Sequence, residues 1–455
     1  MLNRNHGVWG RCCPAFLAFL LIALAQLPVD AQFPSARLTS IFPAGGQPGQ
    51  EIEVAITGAD LDDVAQIQFS HPGITAKQKM REAGPFETEP QPVPNAFVIT
   101  VADNVPSGNH DVRAIGKYGI TNPRTFVIDP LSSIVEQEPN SIPAEAQQIT
   151  VPTVIYGWAE QGTDVDYYQF PVKAGERLIL RCEARSIDSR MDPVVIVLDS
   201  RGRQIGNSRA TRERDPLVDF TARADGEVMV KVYDAVYRNG PEYFYRLTLG
   251  ALPHIDFIFP PAGEAGGSRP FTIYGRNLPG GQAAGIKVEG IELQSLAVTI
   301  PLPGGAEQYN VPGLVAVDSV SGGVDTVAYQ LTSPLGTSNK VLVGISDRPP
   351  TLEVEPNNSF ENAQVLELPA DVAGRFLGEG DGDWYAFQAT QGQKLSIEVI
   401  SERYKGVANV TLLVQQVVKA AEGEEDEQVK QLALVQDGPA TAANFFDART
   451  TDPVF

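Results

Sequence analysis

The chain carries the sequence Asp-Val-Asp-Tyr-Tyr-Gln-Phe-Pro-Val at 164–172, and this stretch decides the predicted fold. From Tyr168 onward, apolar side chains fall at every second position, which is the period of a half-buried β-strand. The same alternation recurs at 178–182, 228–232 and 243–249. Turn sequences such as Asn239-Gly240-Pro241 separate these runs. Alternating runs divided by turns predict an antiparallel β-sandwich.

The motif recurs 217 residues later as Asp-Gly-Asp-Trp-Tyr-Ala-Phe at 381–387. The same spacing relates many other positions. The matching pairs include Ile41-Phe42-Pro43 and Ile258-Phe259-Pro260, Gly58 and Gly275, and Glu136-Gln-Glu138-Pro139-Asn140 and Glu353-Val-Glu355-Pro356-Asn357. One register over about 140 residues indicates an internal duplication.

Each duplicated unit holds two modules, so the predicted order is A-B-A′-B′. Both module types show the alternating pattern of strands, and no stretch predicts a helix longer than two turns. We therefore expect an all-β chain of serial β-sandwiches. The predicted segments are a signal peptide at 1–31, module A at 34–129, module B at 130–251, module A′ at 252–349 and module B′ at 350–455.

The composition excludes several classes of protein. Hydrophobic residues make up 43% of the 455 residues and charged residues 20%, which is enough apolar material for packed cores. The 42 glycines and 35 prolines fit a turn-rich β protein. Lys and Arg number 35 against 56 Asp and Glu, and the net charge of −21 repels phosphate backbones. We expect no nucleic-acid partner.

Residues 1–31 have the pattern of a secretory signal peptide. Arg4 and Arg11 precede an apolar run at 15–27 that is short for a membrane span, and Val29-Asp30-Ala31 is a plausible cleavage site. No later stretch is long and apolar enough to cross a membrane. We expect an exported protein that is periplasmic, on the cell surface or secreted. An uncleaved N-terminal anchor is the alternative.

Both module types resemble known families. The A modules combine an Ile-x-Pro opening, spaced glycines and a strand closed by Gly58-Ala-Asp-Leu61 or Gly275-Arg-Asn-Leu278, and resemble the immunoglobulin-like IPT/TIG fold. The B modules combine Glu-Pro-Asn with Asp-x-Asp-aromatic-Tyr-x-Phe and resemble the bacterial pre-peptidase C-terminal domain. This second resemblance implies a jelly-roll-like β-sandwich that is usually accessory to a secreted peptidase or surface protein. It does not imply that the module cuts peptides.

The register of the duplication changes near the end of the chain. Asp215-Pro216 matches Asp452-Pro453, an offset of 237, and the extra residues fall largely at 421–430. The first copy continues past the matching Val218 with two more predicted strands. A sandwich without them has an open edge, which invites aggregation. We therefore expect module B′ to be incomplete and the natural protein to continue.

We predict no catalytic residues in this chain. The motifs His-Glu-x-x-His, Gly-x-Ser-x-Gly and Gly-x-x-x-x-Gly-Lys-Ser/Thr are absent. His71, His110 and His254 are far apart in sequence, and we expect surface or turn residues. Cys182 lies on the inward face of a predicted strand and is matched by Val399. We expect it to be a core residue, with a reactive thiol as the alternative.

Acidic residues form the strongest candidate site. Glu136, Glu138 and Asn140 are spaced by two and would share one face of an extended segment. Asp164 and Asp166 follow and also share a face. The second copy repeats the set as Glu353, Glu355, Asn357, Asp381 and Asp383.

Converging carboxylates repel one another unless a cation lies among them, and Ca²⁺ prefers oxygen ligands in flexible geometry. Some relatives in the resembled family, the collagen-binding domains of secreted bacterial collagenases, have a similar Glu-x-Glu-x-Asn and aspartate arrangement that binds calcium. We expect Ca²⁺ at both clusters. The alternative is that the glutamates are solvated and the aspartates cap turns.

Two further features have ordinary explanations. The aromatic residues could form a binding surface for protein or glycan, although cross-strand packing also explains their spacing. They are Tyr233, Tyr237, Tyr243, Phe244 and Tyr245. The acidic stretch at 422–427 has the composition of a solvated loop.

These patterns predict a non-catalytic, exported multidomain protein that acts in adhesion, spacing or extracellular substrate binding. Its expected partner is an extracellular protein or polysaccharide, and calcium would stiffen the joint before each B module. The alternative is the N-terminal accessory or targeting portion of a secreted peptidase or other hydrolase whose catalytic domain lies outside this chain.

Overall fold

The computed structural model describes residues 34–211, 214–304, 324–378, 380–404, 406, 408–418, 428–436, 452–453 and 455. The predicted signal peptide and the acidic stretch at 422–427 lie outside these residues. The described chain is built of β-strands, which confirms the all-β prediction. Its described helical elements are 3₁₀ turns at Pro143–Glu145, Arg185–Ile187, Phe360–Asn362 and Glu402–Tyr404.

Residues 37–128 form two sheets around one core. The strands are β1 (Arg37–Phe42), β2 (Gly45–Gly46), β3 (Glu51–Ala59), β4 (Gln66–Phe69), β5 (Ile74–Arg81), β6 (Gln91–Val101), β7 (Gly108–Gly116), β8 (Gly119–Ile120) and β9 (Arg124–Ile128). The sheet orders are β1-β3-β6-β5 and β2-β9-β7-β4, with β8 paired to β7. Alternate side chains of both sheets, including Phe97 and Phe126, are fully buried between them.

The next two sheets carry the stretch at 164–172. The strands are β10 (Ser133–Val135), β11 (Gln147–Gln148), β12 (Thr153–Trp158), β13 (Asp166–Val172), β14 (Arg177–Glu183), β15 (Pro193–Leu198), β16 (Gln204–Arg209), β17 (Leu217–Thr221), β18 (Gly226–Asp234) and β19 (Phe244–Gly250). Their orders are β10-β12-β19-β14-β17 and β11-β13-β18-β15-β16, so β18 and β19 are central strands. The core includes Tyr168, Phe170 and Leu180. Cys182 is buried among them as a free thiol, which confirms its predicted place.

Among the described residues, 254–346 repeat the four-stranded first sheet, and a three-stranded sheet takes the place of the second. The strands are β20 (His254–Phe259), β21 (Ala262–Glu264), β22 (Gly267–Arg276), β23 (Gln282–Val288), β24 (Ile291–Leu302), β25 (Thr326–Ser333) and β26 (Gly336–Ser346). They form sheets of order β20-β22-β24-β23 and β21-β26-β25. Phe271, Ile273 and Val343 are buried in the core between them.

The remaining strands pair two by two among the described residues. They are β27 (Thr351–Leu352), β28 (Gln364–Leu366), β29 (Val372–Ala373), β30 (Tyr385–Phe387), β31 (Leu412–Val418) and β32 (Gln428–Val435). The pairs are β27-β29, β28-β30 and β31-β32. Phe387 and Ile397 are half-buried here, whereas their counterparts Phe170 and Leu180 are fully buried.

The change of offset near the end of the chain is confirmed by two matching sets of contacts. The carboxylate of Asp215 accepts hydrogen bonds from the backbone N–H groups of 184–186 at 3.0–3.1 Å. Asp452 accepts the corresponding bonds from 401–403 at 2.8–3.2 Å. The two aspartates therefore cap the same turn in the two copies.

No helix in the described part of the chain has the length and apolar character that a membrane span needs.

A buried arginine forms ion pairs that connect the second pair of sheets to the first. Arg246 on β19 is 1% exposed and forms ion pairs with Glu183 on β14 and with Asp129, which directly follows β9. Beside it, the rings of Phe42 and Trp158 stack with centroids 4.6 Å apart. Asp188 accepts hydrogen bonds of 2.8 Å from the backbone N–H and the hydroxyl of Thr125.

We expect Arg246→Met to lower the free energy of unfolding by about 3 kcal/mol, because it leaves two carboxylates at a buried contact without their cation. Urea denaturation of the full chain measures this loss. The control is Arg190→Met, because the Arg190–Glu242 pair is exposed. That variant should change stability by less than about 0.5 kcal/mol. Equal losses of stability in the two variants would contradict a stabilising contribution from the buried ion pairs of Arg246.

Candidate metal centre

Three of the predicted acidic residues converge at one end of the first B module. One carboxylate oxygen from each of Glu138, Asp164 and Asp166 lies within 4.8 Å of the other two. Asp166 begins β13, Asp164 lies in the turn before it, and Glu138 follows β10. Because Asp164 and Asp166 are 7% and 2% exposed, water screens their repulsion poorly.

Backbone hydrogen bonds orient these carboxylates. Asp164 accepts from the N–H of Glu160 at 2.7 Å and from that of Val165 at 3.1 Å. Glu138 accepts from the N–H of Asn140 at 2.8 Å. The loop backbone therefore holds the acidic groups in place despite their charge.

Buried polar atoms in this region lack partners. Oδ1 of Asp166 and both side-chain polar atoms of Asn140 form no hydrogen bond with the described residues. The backbone of Asn140 accepts from the N–H of Tyr167 at 3.0 Å, so Asn140 lies beside the start of β13. Buried polar groups without partners are rare, because each forfeits its hydration. A cation bound among these oxygens would replace the missing interactions.

Glu136 takes a different position from Glu138. Its Oε1 accepts from the backbone N–H of Trp158 at 2.7 Å, its Oε2 accepts from the Tyr168 hydroxyl at 3.2 Å, and the Tyr245 hydroxyl oxygen lies 3.3 Å from that Oε2. Burial raises the pKa of Glu136 above its ordinary value. The prediction that 136, 138 and 140 share one face of an extended segment is wrong, because β10 ends at Val135. Glu138 is exposed, whereas Asn140 is fully buried.

Two buried tyrosines join the cluster, and sequence reasoning missed their role. The Tyr245 hydroxyl donates to Asp166 at 2.6 Å and lies 2.5 Å from the Tyr168 hydroxyl. Tyr168 could have been suspected, because a tyrosine follows Asp-x-Asp-aromatic in both copies. Phe244 and Tyr245 are 2% and 0% exposed, so neither belongs to a binding surface.

The second copy repeats the scaffolding of the cluster. Asp381 accepts from the N–H of Leu377 at 2.6 Å, Glu353 from that of Arg375 at 2.7 Å, and Glu355 from that of Asn357 at 2.9 Å. The three carboxylates whose oxygens converge within 4.8 Å are Glu353, Glu355 and Asp383. Oδ1 of Asp383 and Oε2 of Glu353 are buried without partners among the described residues.

The histidines are less exposed than predicted. His110 is 6% exposed, and its ring centroid lies 5.8 Å from that of His71, although the two are distant in sequence. Nε2 of His110 contacts the carbonyl oxygen of Pro106 at 2.9 Å. Burial lowers the pKa of His110 and of His254. The expectation of surface or turn histidines is therefore wrong for His110, which is buried in β7, whereas His254 is half-buried at the start of β20.

No family model matches this chain, and no curated protein sequence matches it. Among solved structures, the pre-peptidase C-terminal domain of collagenase from Bacillus anthracis is 20% identical and covers 25% of this chain and 100% of its own, with a TM-score of 0.21. The periplasmic g-type lysozyme inhibitor PliG of Aeromonas hydrophila is 17% identical over 26% of this chain and 95% of its own, with a TM-score of 0.17.

SGBP-B of the Bacteroides ovatus mixed-linkage glucan utilization locus, in complex with a mixed-linkage heptasaccharide, is 9% identical over 48% of this chain and 53% of its own, with a TM-score of 0.18. Similarities this low give no information about what this chain binds.

We expect Tyr245→Phe to lower the free energy of unfolding by about 1–2 kcal/mol, because it removes the donor that faces the buried carboxylate of Asp166. Chemical denaturation in the presence of a chelator measures the loss. Tyr243→Phe is the matched control, since the half-buried Tyr243 ring packs 5.3 Å from the guanidinium of Arg238. A similar loss in both variants would show that the Asp166 contact contributes nothing specific.

Proposed function

We propose that this chain is a non-catalytic, exported protein for extracellular binding and spacing, with calcium bound at the acidic cluster of each B module. This proposal rests on the convergence of the carboxylates of Glu138, Asp164 and Asp166. It also rests on the buried Oδ1 of Asp166, which has no hydrogen-bond partner among the described residues. The alternative, an accessory portion of a secreted hydrolase, stays a prediction.

The donor atoms favour calcium over other metals. Carboxylate and amide oxygens suit hard cations, whereas zinc and copper prefer nitrogen and sulfur. In the first cluster the ligands would be Glu138, Asp164 and Asp166, with the amide oxygen of Asn140. In the second they would be the carboxylates of Glu353, Glu355 and Asp383. Loop backbone positions these groups, and calcium tolerates such irregular geometry better than magnesium does.

Trp158 supports the spacing role, because it contacts the preceding module and is linked to the cluster through Glu160. Its indole N–H donates to Glu160 at 2.8 Å, and the backbone N–H of Glu160 donates to Asp164. Its ring stacks on Phe42 of module A. A cation that fixes Asp164 would therefore restrain the loop that follows Trp158, and with it the joint between the modules.

Calcium should raise the melting temperature of the full chain relative to chelator, because a ligand that binds only the native state stabilises it. At a free concentration about 100 times Kd the gain is about 2.7 kcal/mol. Scanning calorimetry measures the shift.

Asp164→Asn and Asp166→Asn should each reduce the calcium shift, because both are ligands of one cluster. The control is Asp199→Asn, since Asp199 caps a turn through the N–H groups of Arg201 and Arg203. That variant should respond to calcium as the natural chain does. The proposal fails if calcium leaves the melting temperature of the natural chain unchanged.

Trp158 also allows a test of the joint. In a double variant, Trp9→Phe with Trp384→Phe, we expect the emission of Trp158 to change over the calcium concentrations that raise the melting temperature, because the indole contacts Glu160 and Phe42. Fluorescence titration measures this, and Asp166→Asn should abolish the change. If calcium raises the melting temperature but leaves the Trp158 emission unchanged, calcium binds without affecting the joint, and the spacing role is contradicted.

A further inference from the structure

An aromatic strip lies on the outward face of the sheet that contains β13 and β18. We define this strip as Tyr167, Lys231, Tyr233 and Tyr237. Tyr167 is the cross-strand partner of Lys231. Their neighbours along the strands, including Tyr168 and Val232, are buried in the core. Because successive side chains of a strand point to opposite faces, the strip faces away from the core.

The members of the strip contact one another in a row. The Lys231 ammonium lies 4.8 Å from the ring centroid of Tyr233 and 5.9 Å from that of Tyr167. On the far side, the rings of Tyr233 and Tyr237 stack with centroids 5.5 Å apart and an angle of 18°. Tyr237 is 44% exposed, and the adjacent Val236 is 63% exposed. The strip therefore ends in the exposed ring of Tyr237, while Tyr167, Lys231 and Tyr233 are half-buried.

The Tyr237 ring is held in place at a conformational cost. Tyr237 has a φ of 57°, a region that bulky residues rarely adopt. The buried Asp234 stabilises this turn, since its carboxylate accepts from the N–H groups of Val236 and Arg238 at 3.1 and 3.0 Å. Its carbonyl accepts from the N–H of Tyr237 at 2.9 Å. The surrounding contacts thus fix an exposed ring in a strained position.

The charges around the strip favour an anionic ligand. Arg238 is neutralised by ion pairs with Asp192 and Asp234. Lys231 forms no ion pair with a carboxylate of the described chain, and its cross-strand neighbours are Tyr167 and Ile196. Glu227, opposite Pro171 on the same face, lies about 13 Å along the strand from Lys231.

We propose that the aromatic strip binds an acidic polysaccharide. A pyranose ring stacks on the exposed face of Tyr237, because its C–H groups carry partial positive charge that matches the negative face of the aromatic ring. A carboxylate or sulfate of the sugar chain pairs with the ammonium of Lys231. This inference rests on the proposed function, since it names the ligand of an exported binding protein.

The geometry favours sugar over peptide. An extended peptide gains affinity by adding main-chain hydrogen bonds at the edge of a sheet. The strip lies instead on β13 and β18, which are interior strands of the order β11-β13-β18-β15-β16. β18 pairs along its length with β13 and β15, and β13 pairs with β18 and, at Tyr168 and Gln169, with β11. The strip therefore offers rings and one charge on a sheet face.

The test measures binding of the full chain to polygalacturonate, alginate and heparin by isothermal titration calorimetry in chelator, because the carboxylates of these polymers bind calcium themselves. Methyl-esterified polygalacturonate is the uncharged control, and poly-glutamate is the acidic peptide control. Lys231→Gln should weaken binding about tenfold by removing a charge-assisted contact. Tyr237→Asn, which removes the ring but tolerates the left-handed backbone, should weaken it similarly. Lys117→Gln is the matched control, since the Lys117 ammonium lies 5.6 Å from the Tyr118 ring in module A.

Binding to at least one acidic glycan, with losses in the two strip variants and none in the control, supports the inference. Failure of all three glycans to bind, or equal binding by all variants, overturns it. Equal affinity for poly-glutamate would assign the strip to acidic peptides and also overturns it. Unchanged melting temperatures of the variants exclude misfolding. The calcium-dependent melting shift is measured separately, so failure of the glycan inference is distinguishable from failure of the proposed metal sites.

Discussion

Carboxylates buried at one end of a β-sandwich are the constraint on which the rest of this structure depends. Asp166 is 2% exposed and must exchange its hydration for other partners. The Tyr245 hydroxyl supplies one partner, and the neighbouring carboxylates Glu138 and Asp164 add repulsion instead. Burial raises the pKa of Asp166, and a calcium ion at the cluster, as in the proposed function, would offset the repulsion between the carboxylates.

The duplication shows that backbone groups determine how the acidic residues are oriented. Both copies orient their acidic residues through the same N–H groups, although the second cluster is half-buried. The joint before each B module is also repeated, with different chemistry. Phe42 stacks on Trp158 in the first unit, and Phe259 faces the guanidinium of Arg375 at 4.3 Å in the second. Both joints contain a phenylalanine ring, because an aromatic face can stack on an indole or contact a cation.

A single strand connects the metal and glycan proposals. Along β13, Asp166 faces the acidic cluster and Tyr167 faces the aromatic strip. The alternation that builds the core therefore places an inward site and an outward surface on adjacent residues. Ordering of the start of β13 by a cation would also order the first ring of the strip.

The sequence alone determined the strands, the duplication and the buried place of Cys182, because these follow from local alternation and from comparison of the chain with itself. It also located the acidic residues, but it could not separate Glu136 from Glu138. Only the tertiary structure decided that Tyr245 meets Asp166 and that His71 meets His110. Alternation states which side chains point inward, whereas strand order and register decide which of them touch, and residues far apart in sequence set both.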